Sequence, residues 1–412
     1  MCLLCAIWPN SAIASWLLTY NFIYTDTLRR SRMVYKHAPL GYLPLMRELR
    51  NAVAEPASPG SILKAVDALV GLSQATRPFR SSPQSLVPIT FSPNMHFTSC
   101  LALAAIASVA SAIPATMVAR ADDGPIGYAA QNGGTTGGAG GTTTTVSALS
   151  AFTEAVTADG ASVIFVKGTI SGDVQTKVAS DKSILGIDSS SRLEGVSLYI
   201  KDVSNVIVRN LAISKVLADT GDAVGIQKST NVWIDHMDLS SDRDHDKDYY
   251  DGLCDITHAA DFVTISNTYF HDHWKAALVG HSDSNGGEDT GYLHVTFANN
   301  YWKNVNSRAP SIRFGTAHIF NSYYDTLDTG VNTRMGAEVL VESTAFTGCK
   351  DPIESVDSKT TGTAAVNDVD LGEGTNTAPE GSLTVNYDYT LLGSASVKSA
   401  VVGVAGNTLT LG

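Results

Sequence analysis

Six short stretches in the second half of the chain decide the fold: VIVRNLAI (206–213), WIDHMDL (233–239), VTISNTYF (263–270), VTFANNYW (295–302), IFNSYY (319–324) and VLVESTAF (339–346). Each alternates apolar and other residues, reaches a polar position, and returns to apolar, with Gly, Asp, Ser and Asn in the loops between. Aligned on the polar position, they put Asn210, His236, Asn267, Asn299, Asn321 and Ser343 in one register. The spacings are 26, 31, 32, 22 and 22 residues, a minimal unit of 22 with insertions in some loops. Strand-forming repeats of that length stack as coils of a solenoid. An Asn recurring at one register can pass amide hydrogen bonds to its copies above and below. The expectation is an all-β chain wound as a β-helix.

Upstream, SVIFVKGTI (162–170) and KSILGI (182–187) have the same strand character and read as earlier coils. Residues 146–158 are amphipathic and predict an N-terminal cap helix over the first open edge. Residues 397–404 and the Thr/Gly-rich run after Ser358 are expected to lie outside the coils as a C-terminal covering segment. The Gly-rich run 133–141 lacks the Gly-Lys-Ser/Thr of a phosphate loop and reads as an N-terminal turn.

The chain has 412 residues and a formal charge of −12, with only 17% charged residues. That balance argues against a nucleic-acid partner, which normally demands an excess of Lys and Arg. A polyanionic ligand stays open if cations are concentrated locally or a metal bridges like charges. FTSCLALAAIASVASA (97–112) follows Met95 and ends in the small-residue pattern Ala110-Ser111-Ala112, so residues 95–112 read as a secretory signal peptide and the mature protein as extracellular. Residues 1–94 are then an over-extended gene model or a disordered stretch, the alternative being a genuine upstream anchor and linker. Residues 113–120 read as a short pro-segment, leaving one β-helix domain over 121–412, expected to be monomeric and free of the membrane. Cys254 and Cys349, the cysteines left in that domain, fall three coils apart, too far for a disulfide, and are expected as buried free thiols.

Corresponding positions on adjacent coils lie about 5 Å apart, so charged residues at matching offsets become neighbours. Asp222 stands 14 residues before register 236, and Asp251 and Asp255 stand 16 and 12 before register 267. Clustered carboxylates repel unless a hard cation sits among them, and an all-oxygen set suits Ca²⁺. Chance clustering of loop aspartates is the competing reading. Lys275 and Arg308 stand 8 and 9 residues after registers 267 and 299, and Arg313 follows five later. Aligned cations beside aligned carboxylates suit an acidic sugar.

Taken together, NVWIDH (231–236), DGLCD (251–255), Lys275 and RAPSIR (308–313) resemble the family-1 pectate lyases, particularly secreted fungal members, over about 127–412. The resemblance implies a single-stranded, right-handed parallel β-helix whose cleft binds polygalacturonate. It implies Ca²⁺ on Asp222, Asp251 and Asp255, Arg308 as catalytic base, and Lys275 and Arg313 as binders of substrate carboxylates. It further implies β-elimination at a 1,4 linkage between α-galacturonates, leaving a 4,5-unsaturated product. An arginine base is scarce in neutral form at pH 7, so an alkaline optimum is expected. Thr220 stands where the family often has a second Asp, which would thin the calcium shell unless Asp219 compensates. His236 belongs to the motif but also to the register, and reads as structural. His258, His271, His273 and His281 receive no role.

Three other functions share parts of this pattern. A pectin lyase acting on esterified chains has no use for Asp251, Asp255 and Lys275. A β-helix hydrolase with two catalytic aspartates leaves Lys275, Arg308 and Arg313 unexplained. A binding or adhesive β-helix is expected to show aromatic platforms in place of a metal and arginine constellation.

Overall fold

The computed structural model describes residues 124–411. The leader at 95–112, the pro-segment and the reading of 1–94 lie outside the described residues. Within them, 21 strands form one continuous parallel system, a right-handed β-helix of about 10 turns. Each coil passes along three faces, and some long strands run across a corner from one face to the next. Ser204–Arg209, Thr230–Asp235, Asp261–Ser266, His294–Ala298 and Thr316–Phe320 stack on the first. Ala212–Ser214, Asp238–Ser240, Tyr269–Lys275 and Tyr301–Ser307 stack on the second. The strand Arg192–Lys201 starts on the second face beside Ala212–Ser214, and its residues 198–201 stack on the third with Val224–Gln227, Cys254–Thr257, Leu278–Val279 and Ser311–Arg313.

Stacking places like side chains over like. Val208, Ile234, Ile265, Phe297 and Ile319 form one fully buried column of the first face. Ile200, Ile226, Ile256, Val279 and Ile312 form another on the third. On the second face the inward rings of Phe270, Trp302, Tyr324 and Phe346 stack at centroid distances of 3.9, 5.7 and 4.3 Å. Each buried aliphatic side chain contributes about 1.5–3 kcal/mol, and the aromatic stack adds to it.

The register residues mark the corner between the first and second faces. All six have left-handed backbones, with φ between 46° and 58°. Asn tolerates this conformation better than most residues with a side chain, which is why it recurs. A direct amide link joins Asn321 to Asn299, with Nδ2 donating to Oδ1 at 3.0 Å. Other members bond elsewhere. Asn210 donates to Gly186 O and Leu409 O and accepts from Leu409 N. Asn321 also holds Thr390 O and Leu392 N. The corner is therefore less an amide stack than a seam that fastens the returning C-terminal segment.

His236, 1% exposed, sits in this corner with Nδ1 2.6 Å from the buried Asp235, which also receives Arg209 Nε at 2.7 Å. Its structural reading matches that position. The cap helix runs Leu149–Thr157 and buries Phe152 and Val156, while Val146 closes the strand Thr142–Val146 beside it. The run after Ser358 is not all cover: Thr363–Asp370 is another strand, paired with the strand Glu338–Glu354 before it. The covering segment starts beyond it. Its helix Ser394–Val401 buries Val397 and Val401 against Tyr301 and Tyr323, part of an outer stack with Tyr269. Cys254 and Cys349 are free and buried.

Candidate active site

The third face and the turns leading into it gather the charged residues. Asp222 lies in the turn before Val224–Gln227, Asp251 in the turn before Cys254–Thr257, and Asp255 on that strand, 8% exposed. Gly252 sits between two of the carboxylates. Its N–H donates to Asp222 Oδ1 at 3.0 Å, and a β-carbon added there would stand 2.4 Å from Asp255 Oδ1 and 2.8 Å from Asp222 Oδ1. Only glycine leaves both oxygens free to face the same small space. Asp255 Oδ1 also accepts from Leu278 N at 3.0 Å, which fixes its rotamer.

Two acids so placed disfavour each other's ionisation. Burial, followed by the Asp251 charge, raises the Asp222 carboxyl to about 7. Burial, followed by the Asp222 charge, raises Asp255 well above the carboxylate range. The nearby Arg308 charge opposes both shifts, and Lys275 opposes that on Asp222.

Asp251 is turned differently. Its Oδ1 lies 3.6 Å from Lys275 Nζ, which also donates to Asp248 Oδ1 at 3.1 Å. Among the described residues no three His, Cys, Asp or Glu side chains already form a closed metal cage. The donor chemistry nonetheless suits a hard cation: oxygen ligands, mutual repulsion, and a space that a side chain at position 252 would fill. Behind Asp251, His273 is 1% exposed and its Nε2 meets Asp251 O at 2.7 Å, while burial holds its pKa at about 4. The neutral ring therefore donates to that carbonyl and braces the turn. Sequence reasoning assigned His273 no role, because a contact to a backbone carbonyl leaves no motif.

Lys275 pairs in register with Ser307, so Arg308 lies one residue beyond the matching position. Its backbone is left-handed, φ 59°, and Ala277 N donates to its carbonyl at 2.7 Å. Among the described residues its guanidinium has no hydrogen-bond or ion-pair partner. Arg313 is different. Nε donates to Asp283 Oδ1 at 2.6 Å and Nη1 to Gly280 O at 3.0 Å, leaving Nη2 as its unengaged nitrogen. Arg334 stands opposite Arg313 on the next coil, with Nη2 3.9 Å from the same Asp283 oxygen. Neither Asp283 nor Arg334 was singled out from sequence. Asp283 lies in a loop insertion that the repeat register does not reach, and Arg334, 13 residues past register 321 where Arg313 is 14 past register 299, belongs to no motif of its own.

This arrangement has close counterparts. The pectate lyase family model matches residues 98–409. A pectate lyase A from Aspergillus niger is 62% identical over 294 residues, covering 71% of this chain and 90% of its own. A probable pectate lyase A from Aspergillus fumigatus is 59% identical over 322 residues, covering 76% of this chain and 99% of its own. Among solved structures, a pectate lyase from Bacillus sp. N165 in complex with trigalacturonate superposes with a TM-score of 0.63 at 30% identity, over 69% of this chain and 98% of that one. A Xanthomonas campestris pectate lyase variant superposes with a TM-score of 0.61 at 26% identity, over 70% of this chain and 100% of its own. Coil and relatives agree, and the chain belongs to the pectate lyase family as an enzyme of the fungal type.

Proposed function

We propose that this enzyme cleaves polygalacturonate by calcium-dependent β-elimination, with Arg308 as the base, Lys275 and Arg313 as carboxylate binders, and Asp222, Asp251 and Asp255 as the calcium ligands. The observation that carries the reading is the Arg308 guanidinium, unpartnered among the described residues beside the half-buried Asp222 and the buried Asp255, whose ionisation it favours. A structural arginine in such a place would be expected to bond a carboxylate, as Arg313 does.

In its neutral form the Arg308 side chain takes H5, the proton α to the uronate carboxylate. The electron pair left on C5 forms the C4=C5 double bond, the C4–O4 bond breaks, and the leaving oxygen takes a proton from solvent. Negative charge that develops on the carboxylate is met by Lys275 Nζ and by Arg313 Nη2. Bound Ca²⁺ would supply further positive charge at that carboxylate and neutralise Asp222, Asp251 and Asp255. Asp248 and Asp251 hold the lysine at the groove until substrate arrives. The enzyme acts outside the cell as a monomer on demethylated pectin of plant cell walls.

The test is ultraviolet absorbance of unsaturated uronides during incubation with polygalacturonate. A rise that EDTA abolishes and added Ca²⁺ restores supports the reading. No rise with Ca²⁺ present, or an EDTA-resistant rise on esterified pectin alone, defeats it.

A further inference from the structure

The outward column of the third face that carries Asp255 continues toward the N-terminal coils. Asp255 pairs with Gly225, Gly225 with Tyr199, and Tyr199 with Lys177. Tyr199 is thus two strands from Asp255, about 10 Å at ordinary strand spacing. The residue between them, Gly225, adds no side chain of its own. A β-carbon at Gly225 would lie 3.4 Å from Asp222 Oδ2 and 3.5 Å from Tyr199 Cδ2, so the glycine is the floor between the acid and the ring. Beyond that floor Lys177, Tyr199, Lys201 and Asp202 line a cavity of about 230 Å³.

The ring is held in place. Tyr199 Oη donates to Gln227 Oε1 at 2.9 Å, and Lys201 Nζ lies 5.6 Å from the ring centroid. A tyrosine ring with the Lys201 ammonium over it and Lys177 on the adjoining strand suits a pyranose ring bearing a carboxylate: the sugar packs against the tyrosine and a lysine takes the acid. Asp202 is the single carboxylate of the lining, so the cavity stays cationic in a chain of net charge −12. Resting on the proposed action on polygalacturonate, we infer that Lys177, Tyr199 and Lys201 form a remote subsite that binds a galacturonate unit a few residues along the chain from the scissile bond. The subsite makes the enzyme favour long, de-esterified chains.

Two measurements test this. With calcium saturating, Tyr199→Ala and the double change Lys177→Met/Lys201→Met should each raise KM for hexagalacturonate about tenfold with kcat held, while trigalacturonate, too short to span, changes less than about twofold. Tyr199→Phe keeps the ring but loses its Gln227 anchor and should fall between the parent and Tyr199→Ala on hexagalacturonate, while parental melting temperatures for all the variants exclude a folding defect. Equal losses on both lengths, or no loss on hexagalacturonate, overturn the subsite. Calorimetric titration of hexagalacturonate into Arg308→Ala protein, with and without Tyr199→Ala, reads the same subsite without turnover. Weaker binding on loss of Tyr199 supports it even if the parent enzyme cleaves nothing, a result that would defeat the proposed function alone. Unchanged binding overturns it.

Discussion

Asp222 and Asp255, on neighbouring coils, face each other across a single glycine: both present an Oδ1 to the place a β-carbon of Gly252 would take. Gly252→Ala fills that space with one methyl group. The expected outcome is a calcium requirement raised about tenfold or more, with kcat near the parent value once calcium saturates. Activity titrated against free Ca²⁺ checks it, and an unchanged half-saturation point counts against the cation site.

Arg308 has no structural partner to lose among the described residues, so its removal should cost chemistry and not stability. Arg308→Ala and Arg308→Lys are expected to lower kcat by about 10²–10⁴-fold while leaving the melting temperature within about 2 °C. Steady-state rates and thermal melts together decide. A stable variant that retains parental kcat removes Arg308 from the role of base.

The two acids make calcium's effect on stability depend on pH. An aspartate in the unfolded chain titrates near 4, whereas Asp222 is raised to about 7 in the folded protein and Asp255 well above its ordinary range. A raised folded pKa contributes stability that is complete below the unfolded value and lost as pH rises through the folded one. The calcium-free protein is thereby weakened at pH 8 relative to pH 5, and calcium, binding the ionised acids, should raise the melting temperature more at pH 8. Burial depresses His273 and His318 to about 4, so their contribution falls as pH drops below about 6.5. That contribution is common to both calcium states and cancels in the difference. Melts with calcium and with EDTA at the two pH values provide the check; a calcium gain no larger at pH 8 contradicts the assignment.

The corner seam offers a test independent of catalysis. Asn321 is fully buried, has φ 50°, and bonds Asn299, Thr390 and Leu392. Asn321→Ala removes these bonds and leaves a left-handed residue with no polar compensation. Destabilisation of about 2–4 kcal/mol is expected, together with early proteolysis within the covering segment. Denaturant unfolding and limited digestion would show it, and a loss below about 0.5 kcal/mol would mean the seam is held by other contacts.

How far the sequence could be read depended on how far the repeat could be counted. The corner was legible because its left-handed backbone favours Asn, which fills four of the six register positions, with His236 and Ser343 in the others. A seventh, Asp368, shares the left-handed φ at 50° opposite Ser343, but its coil lacks the apolar doublet that would have aligned it. Counting offsets brought Lys275 and Arg308 to within one residue of the true pairing with Ser307. It could not show that Arg313 is tied to Asp283, since insertions break the count where Asp283 lies. Nor could it link Tyr199 to Asp255, because the intervening residue is a glycine whose importance lies in what it leaves out.

The covering segment finally ties distant parts of the chain together. Asn407 reaches Ser189 O and Ser191 O, Leu409 closes on Asn210, and Leu411 N donates to Ile187 O. Residues near position 409 thus clasp coils some two hundred residues earlier in the chain. As the chain is made, the early coils must wait, one flank uncovered, until that clasp arrives. Synthesis order therefore leaves this corner open after the coils that meet at it have formed.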